Sequence, residues 1–173
     1  TACTMESPED PKRALLVHYL AALAYRTQKA LRGAPAEFAL FEAGNRSRPP
    51  KELVRHMTSV LDYARTCFVG GAPSALPLPT LADEIQRFHE VLQDLGRLLV
   101  SGAAIRGVTE EQLLQGPFAD AMTHAGQLAL LRRLAGVPVP PESFIDAAIR
   151  GDQLGPDQPE PVSADTNWPE RLP

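Results

Sequence analysis

Apolar residues recur at helical spacing in four stretches of the chain. Leu16, Leu20, Leu23 and Leu31 form the first stripe and predict a helix over about residues 8–32. Leu53, Met57, Val60, Leu61, Ala64 and Phe68 form the second, over about 50–69. Ile85, Phe88, Leu92, Leu95 and Leu99 alternate steps of three and four over about 81–101, and Leu128, Leu131 and Leu134 belong to a fourth helix over about 117–135. Such steps keep side chains on one face because a helix turns about 100° per residue. The punctuation agrees. Ser7-Pro8-Glu9-Asp10 reads as a helix start, and Thr80 with Asp83 and Thr109 with Gln112 read as capping boxes. Gly33, Gly70, Gly102 and Gly136 read as stops. The box at Thr109 opens only a short helical turn, and Gly116-Pro117 is expected to restart the chain for the fourth long helix.

No run alternates apolar and polar residues for long enough to build a sheet. The predicted fold is all-α: an antiparallel four-helix bundle over residues 8–136, with a core of Leu20, Val60, Leu92, Leu95, Leu128 and Leu131. Residues 137–173 carry Pro138, Pro140, Pro141, Pro156, Pro159, Pro161, Pro169 and Pro173, and read as an irregular arm. One short helix is expected there, from Glu142 to Arg150. The arm is expected to dock on the bundle through Trp168, the only tryptophan.

The stripe of the fourth helix begins with polar residues. Asp120, His124 and Leu131 fall within about 40° of one another on the helical wheel, with Gln127 and Leu134 on one flank. A carboxylate buried without a partner is costly, so something is expected to meet Asp120. Residues four apart stack one turn above the other, so Asp120 and His124 can reach one point. Imidazole and carboxylate are common ligands of zinc and other divalent transition metals. His56 lies at the border of the second stripe, in line with Val60, Tyr63 and Cys67. With it the set has three ligands, the number that leaves an open position in a catalytic metal site. The competing reading is a buried Asp–His hydrogen bond that orders the bundle, and the residues alone leave both open. His18 projects away from its stripe toward solvent, and His89 reads as a boundary residue. Cys67 reads as a small buried hydrophobe.

The chain has 173 residues, 44% of them hydrophobic, and a formal charge of −4. That suits one domain with a sizeable core. The sequence has no basic stripe interleaved with aromatics, so nucleic acid is not expected as a partner. No apolar run approaches the roughly 20 residues that span a bilayer, so no membrane association is expected. Two cysteines, Cys3 and Cys67, make no disulfide framework and suit a cytoplasmic location. Thr1-Ala2-Cys3 could close a lipoprotein cleavage box, but Met5 is the expected start.

The stretch "QGPFADAMTHAGQLALLRRLAGVPVPPESF" resembles the DinB superfamily of bacterial four-helix proteins. The most specific part is His-x-Gly-Gln-Leu followed by an apolar helix and "LAGVPVPP". "KELVRHMTSVLDYA" is similar to that family's second helix, and "FIDAAIRGDQLGPDQPEPV" to the arm of one subgroup. The resemblance covers about Leu15 to Pro141. It implies a metal site with a histidine from the second helix and a pair from the fourth, which here are His56, Asp120 and His124. The family pair is commonly His and His, or Glu and His in the thiol-dependent maleylpyruvate isomerases; aspartate is shorter than either. The implied cofactor is a divalent metal, zinc or nickel, with a low-molecular-weight thiol as cosubstrate. The implied activity is S-transferase or isomerase chemistry on a small-molecule substrate. Gln127 is expected to donate to a metal ligand or to line the pocket. A homodimer is expected. The alternatives are a non-catalytic, small-molecule-binding or stress-related bundle with a structural Asp–His pair, and an interaction module working through an outer helix face.

Overall fold

The computed structural model describes residues 8–74 and 76–165. It is all-α, with no strand among the described residues. The long helices are α1 (Pro11–Leu31), α2 (Pro50–Val69), α3 (Leu81–Val100) and α5 (Ala119–Leu134), with the single-turn α4 (Glu110–Leu113) before the last. The caps explain the starts. Thr80 and Thr109 each form a complete capping box, with Asp83 and Gln112 respectively. The first helix starts three residues later than expected. Asp10 caps it by accepting from the Lys12 N–H, and Pro11, not Pro8, takes the first helical position.

Both α1 and α2 pack against α3 and α5, which closes a four-sided core. Two neighbouring pairs run antiparallel and two run parallel. Arg13, at the start of α1, reaches the Ala103 carbonyl just past the end of α3. Lys51, at the start of α2, reaches the Pro79 carbonyl just before the start of α3, so α2 and α3 run parallel. The connection from Gly70 to Thr80 makes this geometry reachable. Extended, it spans roughly 35 Å, enough to return along the roughly 30 Å of α2. Pro73, Pro77 and Pro79 favour that extended path. It is fastened midway, where the Ser74 N–H donates to buried Asp62, and near its end, where the Leu78 N–H donates to buried Glu84.

Leu20, Leu92, Leu95 and Leu128 are fully buried, and Leu131 nearly so. Val60 is a correction: it is only partly buried, because α2 and α5 diverge there and leave a groove. Leu134 is another, being 56% exposed, while its neighbour Arg132 is buried. The expected restart at Gly116-Pro117 is replaced by a continuous π-helical turn, Leu114–Phe118, that carries α4 into α5. The expected helix from Glu142 to Arg150 shrinks to one 3-10 turn, Phe144–Asp146. Only Phe144 of that turn packs on the bundle, against Tyr25, while Ile145 is 93% exposed, so no more extended apolar face is covered there.

The arm lies against the bundle. Glu142 accepts from the Tyr25 hydroxyl at 2.5 Å and from the Lys29 ammonium at 2.6 Å. Burial is the main cause that pushes the Tyr25 hydroxyl pKa up, and its bond to Glu142 adds to this. Arg32 donates to the Gln158 carbonyl, and Leu154 is buried in the core. The expected anchor Trp168 falls outside the described residues. A chain ending at Gly151 loses the Leu154 and Gln158 contacts and should melt at a lower temperature. An unchanged melt would mean that these contacts add no stability.

His89 is fully buried, not at a boundary, because the arm covers it. Its Nδ1–H donates to the Leu154 carbonyl at 2.9 Å. Burial pushes its pKa down from 6.5 to about 4, with the Leu154 bond opposing. The unfolded chain therefore takes up a proton that the folded chain refuses. The His89 contribution is whole above about pH 6.5 and is lost as pH falls toward about 4, on the order of 3 kcal/mol. Urea unfolding across that window should show a steeper loss in the wild type than in His89→Gln. Equal slopes would show that His89 is not shielded from protonation.

Candidate metal centre

His56 comes from the second turn of α2, and Asp120 and His124 from the first two turns of α5. The two helices bring the residues together as the spacing predicted. The His56 and His124 ring centroids lie 4.8 Å apart with planes at 75°. His124 Nε2 is 3.5 Å from Asp120 Oδ1. One ligand atom from each residue can be chosen so that all three lie within 4.8 Å of one another. Ligands of a tetrahedral zinc are roughly 3.3 Å apart, given bonds of about 2.0–2.1 Å. The Asp–His separation already matches this, and the remaining separations, up to 4.8 Å, would have to close by at most roughly 1.5 Å.

Burial differs across the set. His124 is 8% exposed and His56 is partly buried. The Asp120 side chain is 48% exposed, which corrects the expectation of a buried carboxylate. Asp120 sits at the outer edge where α5 emerges from the π turn, and a groove of about 640 Å³ opens beside it. Ser59, Val60, Tyr63, Pro73, Pro117 and Thr123 line that groove. Asp120 is the member of the cluster that borders this groove, so the cluster meets solvent at its carboxylate edge.

The protonation pattern favours a cation. Gln127 Oε1 lies 2.9 Å from His124 Nδ1. A carbonyl oxygen only accepts, so Nδ1–H is the donor to Gln127 and Nε2 is the ring nitrogen turned toward Asp120. Gln127 therefore acts as an acceptor, not as the expected donor. Nε2 faces that carboxylate at a distance longer than the roughly 2.7–2.9 Å of a made charge-assisted bond. The pKa of His56 is lowered, first by burial, then by the positive charge of Arg48 and by His124, with Asp120 opposing. A lowered pKa keeps the imidazole neutral and available as a ligand. Among the described residues only His124 is paired with Asp120.

The chain matches no family model, no curated protein and no solved structure among those compared. The site is therefore read from its own geometry. His18 and His89 stand apart from it, His18 on the exposed face of α1 and His89 under the arm. The residues missed by sequence reasoning are the groove walls Tyr63, Pro73 and Thr123. The helical repeat already places Tyr63, seven residues beyond His56, in line with it on α2; its place in the groove wall is what the repeat does not give.

Gln127→Leu should free the His124 ring from its fixed tautomer. Proton–nitrogen NMR of the neutral imidazole should show the proton on Nδ1 in the wild type and a mixture in the variant. The same tautomer in both would remove Gln127 from the site.

Proposed function

We propose that this chain is a DinB-like metalloprotein that holds zinc or nickel between His56, Asp120 and His124. The observation that carries this reading is the cluster of three donor groups, with His124 Nε2 turned by Gln127 toward Asp120. The donor chemistry fits a divalent transition ion: two imidazoles and one carboxylate, with coordination positions left for a ligand from solvent. Such an ion, when bound, lowers the pKa of a coordinated water or thiol and so supplies a nucleophile at neutral pH.

The chain's own residues divide the remaining work. Gln127 fixes the His124 ring, and partial burial keeps His56 neutral. The groove beside Asp120 admits a small molecule, and Val60, Pro73 and Pro117 give it apolar walls. The resemblance of "THAGQLALL" and "KELVRHM" to DinB proteins supports thiol-dependent S-transferase or isomerase chemistry at this site.

Metal analysis of protein expressed without added metal tests the reading. The wild type should carry close to one zinc or nickel per chain. His56→Ala, Asp120→Ala and His124→Ala should each lose it, while His18→Ala retains it. His18 is the suitable control because it is exposed, whereas truncating buried His89 would disturb the core. No affinity for any divalent metal in the wild type, or full occupancy in the His56 and Asp120 variants, would favour a metal-free Asp–His pair.

A further inference from the structure

A second cavity, of about 240 Å³, lies between α1, α5 and the arm. No residue of α2 lines it, so it is separate from the His56 cluster. Its walls include Arg26 and Lys29 from α1, Met122 and Gly126 from α5, and Pro138 and Phe144 from the arm. Three features of these walls bear on what it can hold.

The first is charge. The Glu142 side chain is fully buried, and both of its oxygens are engaged, one by Tyr25 and one by Lys29. Lys29 and Glu142 therefore cancel. Arg26 does not have such a partner: it makes no ion pair with any described residue. Its guanidinium carbon lies 3.8 Å from the centroid of the Phe144 ring. Stacking engages the face of a guanidinium and leaves its N–H edge free to bind an anion.

The second feature is Gly126. Glycine is a poor residue for a helix interior. Here neither a positive φ nor a close neighbour demands it, since a Cβ at this position would meet nothing within 4 Å. A larger residue would fit the backbone but take up the cavity. The third feature is the apolar remainder, built from Met122, Ala125, Ala129 and the prolines of the arm.

We infer that this cavity binds a small organic monoanion, a carboxylate on an apolar body. The carboxylate meets Arg26, and the body lies against Met122 and the arm. The volume is below the roughly 300–1,000 Å³ of drug-sized sites, which selects a single ring or a short chain. Arg133 also lines the cavity, so charge alone does not reject a dianion; inorganic phosphate is disfavoured because it has no apolar body to lie against Met122 and the arm. Arg26 is exposed, so with a neutral analogue its guanidinium edge stays in water and gains no charged partner. Because the arm forms one wall, the bound ligand also ties the arm to α1 and α5, and ligand should raise the melting temperature.

Benzoate is the probe, titrated calorimetrically into chelator-treated protein so that no carboxylate–metal contact enters the readout. Saturable binding and a raised melting temperature are expected. Benzyl alcohol and inorganic phosphate should each bind at least about tenfold more weakly, the scale of one lost charged hydrogen bond. Arg26→Gln and Gly126→Leu should each weaken benzoate by a similar factor. Gly126→Leu keeps Arg26, Phe144 and Glu142 in place, so it remains informative if Arg26→Gln loosens the arm. The inference is overturned by the absence of saturable benzoate binding, by benzyl alcohol or phosphate binding as tightly, or by undiminished binding in Gly126→Leu.

Discussion

The geometry of the bundle depends on one buried cation, Arg132. Its guanidinium is enclosed near the end of α5 and has no carboxylate partner among the described residues. It donates instead to the carbonyls of Ala30 and Arg32 at the end of α1, and to Val137 just past α5. The last carbonyls of a helix lack intrahelical partners and carry partial negative charge. Arg132 satisfies two chain ends at once, and burial lowers its pKa without bringing an arginine near neutrality. This fastens α1 parallel to α5 at one end. Lys12 and Glu111 join the other end across an exposed ion pair that contributes far less.

With α5 held at its C-terminal end, its rotation is set at the start by the π turn. Pro117 lacks an N–H, and a wider turn accommodates its ring without ending the helix. Phe118 is then fully buried and acts as the pivot. Two residues on, Asp120 reaches the groove rim, and His124 one turn later faces α2. The candidate site thus follows from two backbone features, a capped end and a wide turn.

These two features explain what could be seen in the sequence and what could not. Leucine periodicity located Leu20, Leu92, Leu95 and Leu128 correctly, because core burial follows the helical repeat. The boxes at Thr80 and Thr109 were legible because a cap is a local motif. The meeting of His56, Asp120 and His124 was legible as a shared face. Whether that face is covered was not. A wheel gives direction but not the neighbour, so Asp120 appeared buried and Val60 appeared to be core. His89 became buried only because Leu154, distant in sequence, lies over it. Arg132 would be an outlier on any wheel, since the groups that satisfy it belong to α1.

The exposure of Asp120 also changes the energetic logic of the metal site. A buried, unpaired carboxylate would have made the ion a requirement for folding. A half-exposed one is solvated and can wait for an ion at little cost. The leucine core, the Arg132 clasp and the arm contacts involve none of His56, Asp120 and His124. This distinguishes the arrangement from small structural zinc sites, in which binding energy is folding energy. The His56, Asp120 and His124 cluster has one exposed member, one polar residue fixing a ring, and a groove at its edge. Those features suit a centre that could take up an ion from solvent and leave positions open to a ligand.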